Sequence, residues 1–339
     1  MKIGILTSGG DCPGINATIR GVCKTAINYY GMEVYGIHDG FLGLIENDME
    51  QLTEQSMSGL LNLGGTILGT SREKPFKKRD NEHAAIDKPT LMAENIKARG
   101  LDCIVCIGGN GTLKTAAKMA AMGLNVVSIP KTIDNDVWGT DQSFGFDTAV
   151  SIATDAIDRL HSTASAHKRV MVIEVMGHKA GWIALYSGMA GGGDVILIPE
   201  LAYEMQPIYD TIIGRGKRNK PYSIVVVAEG IPVNTSTKQR AGEFIAQQIE
   251  QATGFETREM VLGYIQRGGS PTSFDRNLAT RMGGHAADLI ASGEFGRMVS
   301  LQGNSITSVS LEEANGKLKL VPTDHELIVE GRKMGVCFG

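Results

Sequence analysis

The sequence predicts an α/β protein with a doubly wound parallel sheet in each half, and three observations carry that reading. Before residue 150, three apolar strands run into polar loops that open helices: residues 2–7 into 8–14, 103–107 into 108–112, and 126–129 into 130–136. After residue 168 the alternation resumes with β-branched runs, each ending near a charged residue. Glycine is frequent, 43 of 339 residues, while aromatics make up only 6%. That profile suits a backbone that turns tightly and approaches a ligand closely. Alternating strands and helices build parallel sheets that bind ligands at the C-terminal ends of their strands.

In order, residues 2–7 form a short apolar strand, and Ser8-Gly9-Gly10-Asp11-Cys12-Pro13-Gly14 is the loop at its end. Ile15, Ile19, Val22, Cys23, Ala26, Ile27 and Tyr30 recur at helical spacing, and Gly31 stands where a helix stops. Free N–H groups and the helix dipole both favour an anion in such a loop. The spacing matches neither a Walker A motif nor G-x-G-x-x-G, so it identifies no nucleotide. Residues 34–37 are the next strand, and 63–71 form another Gly-rich loop that ends on Arg72. Lys74, Lys77, Lys78 and Arg79 surround Phe76 and read equally as a solvated basic loop or as phosphate contacts.

Residues 92–99 are a helix stopped by Gly100, followed by the strand 103–107. Gly108-Gly109-Asn110-Gly111-Thr112 then opens a helix on Leu113, Ala116, Ala117 and Ala120, with Gly123 as its cap. Residues 126–129 lead into the central polar stretch, and Ala149, Ile152, Ala153, Ala156, Ile157 and Leu160 mark the helix after it. The second half supplies strands at 169–175, 194–198, 222–228 and 260–262. Beyond about residue 300 the signals are weak.

The charge balance, 33 basic against 37 acidic residues for a net -4, argues against a dedicated binder of nucleic acid or anionic membrane. No apolar run reaches spanning length, and the first is too short for a signal-peptide core, so a cytoplasmic protein is expected. Cys12, Cys23, Cys103, Cys106 and Cys337 are odd in number and scattered, which disfavours a disulfide framework. Cys103 and Cys106 are formally C-x-x-C but lie inside an apolar run with no second pair to complete a zinc site.

The chemistry centres on Ile129-Pro130-Lys131-Thr132-Ile133-Asp134-Asn135-Asp136. Carboxylates at i and i+2, with a hydroxyl and an ammonium upstream, supply a general base, a metal-directed anion, a donor and a cation. Phosphoryl transfer needs that equipment. The competing reading is a polar turn that satisfies its own backbone by Asx-type hydrogen bonds.

Together, Gly9-Gly10-Asp11-x-Pro13-Gly14-x-Asn16-Ala17, Gly64-Gly65-Thr66, Gly108-Gly109-x-Gly111-Thr112, Pro130-x-Thr132-Ile133-Asp134-Asn135-Asp136, Met176-Gly177 and Gln266-Arg267-Gly268-Gly269 closely resemble the 6-phosphofructokinase family. The resemblance runs in order from residue 2 to about 290. It implies two Rossmann-like doubly wound domains of the phosphofructokinase type, with the active site between them. Residues 1–145 with about 262–312 would form the donor domain, and 146–261 with about 313–339 the fructose 6-phosphate domain. The implied reaction is the glycolytic transfer of the γ-phosphoryl group of ATP to O1 of fructose 6-phosphate, with Mg²⁺. The implied assembly is a homotetramer or homodimer with shared active sites.

By the same resemblance Asp134 is the catalytic base, with Thr132 and Asp136 on the transferred phosphate and the metal. Arg72 bridges donor and acceptor, and Gly10, Gly111, Thr112 and Lys131 hold donor phosphates. Met176, Gly177, His178, Glu229, Tyr264 and Arg267 bind the sugar phosphate, joined by Arg169 and Arg258 from a neighbouring subunit. Forked arginine hydrogen bonds suit a dianionic phosphate. Asn110 stands at a position the family usually gives to a metal-linked acid, which implies weaker Mg²⁺ binding. Tyr264 replaces a frequent histidine. At the family's effector positions Arg20 is kept, but Lys24, Glu54 and His161 stand where arginines are usual. The donor signature is mixed, because Gly111 is typical of ATP users and Lys131 of pyrophosphate users. A pyrophosphate-dependent phosphotransferase and a catalytically silent sugar-phosphate or nucleotide binder are the alternatives.

Overall fold

The computed structural model describes residues 1–77, 87–233 and 239–339, so Lys78 and Arg79 lie outside the described residues. The chain forms two compact units. The first comprises Met1–Thr132, Val137–Gly145 and Arg267–Leu318, the second Ile133–Asp136, Phe146–Gln266 and Lys319–Gly339. The later crossings thus fall a few residues beyond those expected at about 262 and 312. Gln266 belongs with the second unit because its side chain accepts from Met176 N (3.3 Å).

The first unit begins with β1 (Lys2–Ser8), α1 (Ile15–Lys24), β2 (Glu33–Ile37), α2 (Phe41–Glu46), β3 (Met49–Leu52), α3 (Lys88–Arg99), β4 (Cys103–Gly108), α4 (Asn110–Ala121) and β5 (Val126–Pro130). The second contains α5 (Phe146–His167), β6 (Val170–Val175), α6 (Trp182–Ala190), β7 (Val195–Leu197), α7 (Met205–Lys217), β8 (Ser223–Ala228), α8 (Ala241–Thr253) and β9 (Thr257–Val261). The chain returns to the first unit for α9 (Ser273–Ala291), β10 (Arg297–Gln302), β11 (Ser305–Ser310) and α10 (Leu311–Ala314), and ends in the second with α11 (Glu326–Lys333).

The first sheet has the order β11-β10-β5-β4-β1-β2-β3. Its five inner strands are parallel, while β3 and β11 close the two edges in antiparallel fashion. The register aligns Ser8 with Gly108 and Gly108 with Pro130, so the loops after β1, β4 and β5 open side by side. β4 and β5 are buried throughout, as their near-continuous apolar runs require of strands covered on both faces. Each fully buried Ile or Val of these strands contributes about 1.5–3 kcal/mol of transfer free energy.

The parallel core is as expected, and each edge of this sheet adds one antiparallel strand. The hairpin of β10 and β11 also lies where the sequence signals were weak, and its outer strand is only half-buried, so no apolar alternation marks it. α9 also lies outside the predicted elements, although Thr272 caps it by accepting from Asp275 N (3.3 Å), a T-x-x-D signal legible in the sequence. α9 packs closely on α1, where a Cβ on Gly21 would lie 2.7 Å from Thr280 O and one on Gly283 2.6 Å from Thr18 O. The helix of α1 is regular only to Lys24 and ends in a π-turn, Thr25–Tyr29.

The second sheet, β7-β8-β6-β9, is entirely parallel. β9 starts at Thr257, earlier than expected, because it is an edge strand whose Arg258, Glu259 and Met260 are exposed and break the apolar run. Burial pushes the thiols of Cys12 and Cys23 up to about 12 and raises those of Cys103 and Cys106 as well. These four are core residues rather than reactive groups.

Candidate active site

In the first unit, β1 ends at the buried Thr7 and Ser8. The chain then turns through Gly9 (φ +86) and enters α1 at Gly14 (φ +102), where a side chain would meet the Phe144 ring at 2.9 Å. The second Gly-rich loop is tethered to this end of β1. Thr7 Oγ1 donates to Gly69 O (2.6 Å), Thr70 Oγ1 to Gly9 O (2.7 Å), and Gly9 N to Ser71 O (3.1 Å). Asn16 of α1 donates to the carbonyls of Leu63 and Gly64, each at 3.2 Å, and accepts from Ile67 N (2.9 Å). Arg72 follows this tether directly and is exposed, so a held backbone carries an accessible guanidinium.

The loop after β4 is organised from α4. Thr112 is buried and donates to Ser8 O (3.3 Å), joining the ends of β4 and β1. Asn110 opens the helix, and Gly111 beside it is exposed, with nothing within 4 Å of a Cβ added there. Lys131, only 3% exposed, donates its backbone N–H to Gly108 O (2.9 Å) and its ammonium to Gly10 O. It therefore bonds to both Gly-rich loops. Arg267 lies here too, donating from Nη1 to Asp11 O (3.0 Å), and a Cβ on Gly10 would come within 2.8 Å of that nitrogen. Gly10, Thr112, Lys131 and Arg267 thus gather at the aligned strand ends, where two helix N-termini, the buried Lys131 and the half-buried Arg267 favour an anion. Thr132, nearly buried, accepts through its carbonyl from Ser143 Oγ (2.9 Å).

In the second unit, Asp134 is half-buried, Asp136 buried, and Asn135 between them takes a left-handed backbone (φ 51). Lys319 donates from Nζ to Asn135 Oδ1 and from its backbone to Asp136 O, both at 2.9 Å. Nothing local in the sequence pointed to Lys319.

The loop after β6 is held by β8. Glu229 Oε1 accepts from Gly177 N (3.3 Å) and His178 N (2.8 Å), while a Cβ on Gly177 would sit 2.4 Å from Ala180 O. Met176, Gly177, His178 and Glu229 are thus brought together at the C-terminal ends of β6 and β8. Tyr264, 75% exposed, stands on the 3-10 turn Gly263–Arg267.

Arg169 and Arg258 do not join them. Arg169 precedes β6, and Arg258 pairs with Met171 near the start of that strand. The six residues of β6 hold the two groups roughly 20 Å apart at about 3.3 Å per residue. Both arginines meet Glu256, Arg169 Nε at 2.7 Å from Oε2 and Arg258 through Nη2 on Oε1. The Arg169 guanidinium paired with Glu256 keeps that carboxyl below its usual range.

Comparison with known proteins decides the family, since the family model described as "Phosphofructokinase" matches residues 2–290. The chain belongs to the phosphofructokinase family. It is 73% identical to the ATP-dependent 6-phosphofructokinase 3 of Bacteroides thetaiotaomicron, with both chains covered completely. It is 46% identical to the pyrophosphate–fructose 6-phosphate 1-phosphotransferase of Streptomyces coelicolor, again over the whole of both. The T-state phosphofructokinase of Pichia pastoris has a similar fold, with a TM-score of 0.84 at 32% identity, over 92% of this chain and 35% of that longer one.

In this phosphofructokinase family member, Lys24 is paired with Glu54 (3.5 Å), whose carboxylate also accepts from Asn28 (3.3 Å). His161 meets Gly191 O through Nε2 (2.7 Å) and Tyr222 OH through Nδ1 (3.3 Å). Among the described residues, no three His, Cys, Asp or Glu side chains form a metal cluster, and no helix is long and apolar enough to cross a membrane.

Proposed function

We propose that this phosphofructokinase transfers the γ-phosphoryl group of ATP to O1 of fructose 6-phosphate, giving fructose 1,6-bisphosphate and ADP in cytoplasmic glycolysis. The observation that carries the reading is full-length 73% identity to a relative named for ATP-dependent 6-phosphofructokinase activity. The open space at Gly111 supports the same donor, because it leaves room for the α-phosphate of a nucleotide.

Asp134 takes the proton from the attacking O1 hydroxyl, while Thr132 and Asp136 keep the transferred phosphate in line. Arg72 and Lys131 balance its charge, and the loops of Gly10, Gly111 and Thr112 hold the donor phosphates. Met176, Gly177, His178, Glu229, Tyr264 and Arg267 bind the sugar phosphate. The first unit carries the donor residues together with Arg267, and the second carries the other sugar residues. Hard oxygen donors, few in number, fit Mg²⁺, which is commonly bound by one or two carboxylates together with substrate phosphates. Asp136 and Asn110 would hold it, and when bound it neutralises phosphate charge. Pyrophosphate as donor is the second reading, favoured by the Streptomyces coelicolor relative. Lys131 does not separate the two, since a cation near the transferred phosphate assists either donor. Initial rates with ATP and with pyrophosphate, at saturating fructose 6-phosphate and Mg²⁺, test the assignment; a faster rate with pyrophosphate overturns it.

Because Arg169 and Arg258 stand at the far end of β6 from Met176, we assign them to the sugar phosphate of a neighbouring subunit in a homotetramer or homodimer. Mixing Asp134→Asn with Arg258→Ala protein is then expected to restore activity in hybrid oligomers. Full activity in a monomer, measured by light scattering under assay conditions, defeats this assignment.

With Lys24 already compensated by Glu54, the cationic cluster that an anionic effector needs is weakened. ADP and phosphoenolpyruvate are expected to leave the sugar affinity nearly unchanged. A several-fold cooperative shift on titration with either one contradicts this.

A further inference from the structure

We propose that Lys319 is a positioning residue for the carboxylate turn, holding Asn135 in its left-handed conformation so that Asp134 and Asp136 stay aimed for phosphoryl transfer. The inference rests on the function proposed above.

Asn135 is the hinge between the two acids, so any relaxation of its backbone turns both carboxylates together. Left-handed backbone is uncommon for residues other than glycine and persists where the surroundings hold it. Lys319 supplies two holds, from Nζ to Asn135 Oδ1 and from its backbone N–H to Asp136 O, each 2.9 Å. Lys319 is itself anchored. Its carbonyl accepts from Trp182 Nε1 (2.9 Å), and its ammonium lies 5.2 Å from the Trp182 ring centroid. Two residues on, Val321 N donates to Glu200 Oε1 (2.9 Å), and the same carboxylate accepts from Gly181 N at 2.9 and 3.1 Å. Residues 319–321 therefore form a strap pinned to the start of α6, and Lys319 reaches the acid turn from that pinned base. The strap lies beyond residue 290, where the family match ends, so no family motif points to it.

The experiment uses the full chain and four variants: Lys319→Met, which keeps the alkyl stem beside Trp182; Lys319→Arg, which keeps a cationic donor; Asn135→Gly, which keeps left-handed backbone without the amide; and the Lys319→Met, Asn135→Gly double variant. Turnover, KM for both substrates, fructose 6-phosphate affinity by calorimetry and Tm are measured for each. Lys319→Met is expected to lower kcat about 10- to 100-fold, the scale of a small misplacement of reacting groups, with sugar affinity within about threefold of wild type. Lys319→Arg should recover most of the loss. In the Asn135→Gly background, Lys319→Met should cost much less, because the coupled partner is gone. Unchanged kcat in folded Lys319→Met, an equal loss in both backgrounds, or a loss confined to sugar affinity overturns the proposal. If Lys319→Met does not fold, Lys319→Gln takes its place under the same criteria. A wild type inactive with both ATP and pyrophosphate defeats the proposed function and this inference with it. An active wild type matched by Lys319→Met defeats the inference alone.

Discussion

Asp134→Asn is expected to keep fructose 6-phosphate binding and to lower turnover about 10²- to 10⁴-fold, the range for loss of a general base. The substitution is nearly isosteric, and the turn around it is held by other groups, the left-handed Asn135 and the two bonds from Lys319. The fold and the neighbouring Asp136 should therefore survive while proton acceptance from the attacking hydroxyl is lost. Calorimetric titration of the sugar phosphate, paired with kcat at saturating ATP, separates the two effects. Near-normal turnover in a folded Asp134→Asn protein removes Asp134 from the role of base.

Gly111→Asp is expected to suppress ATP use sharply without harming the fold. A Cβ at residue 111 meets nothing within 4 Å, and the backbone there is not left-handed, so a side chain can be built without strain. A carboxylate in the first turn of α4 also suits the helix dipole, worth about 0.3–1 kcal/mol. The same carboxylate would occupy the volume assigned to the α-phosphate and repel it. Two like charges about 4 Å apart at an effective dielectric of ~20 repel by about 4 kcal/mol, which corresponds to a loss of kcat/KM on the order of 10³-fold. Gly111→Ala, smaller and uncharged, should lose far less. Unchanged ATP kinetics in Gly111→Asp with wild-type Tm would remove Gly111 from the donor site.

Much of the scaffold was legible because its signals are local. Largely apolar runs marked β1, β4, β5 and β6, and helical spacing marked α1, α4 and α5. Gly9, Gly14, Gly31, Gly100, Gly123 and Gly177 fall at positive φ, as turn and helix-end glycines do. The tail was not legible. The half-buried β11 has no apolar alternation, and α9 announces itself in the sequence only through its Thr272 N-cap.

By itself the sequence determined the α/β class, the Gly-rich loops at strand ends and the doubled carboxylate turn of Asp134 and Asp136, since each is a property of neighbouring residues. Only the tertiary structure decided which cations attend which loop. Lys131 bonds to Gly10 O and Arg267 to Asp11 O, the latter across 256 positions of sequence. It likewise separated Arg169 and Arg258 from Met176 by the length of β6, and brought Lys319 onto Asn135 across 184 positions. Such contacts arise from sheet register and chain return, and no local periodicity records where a distant segment comes back.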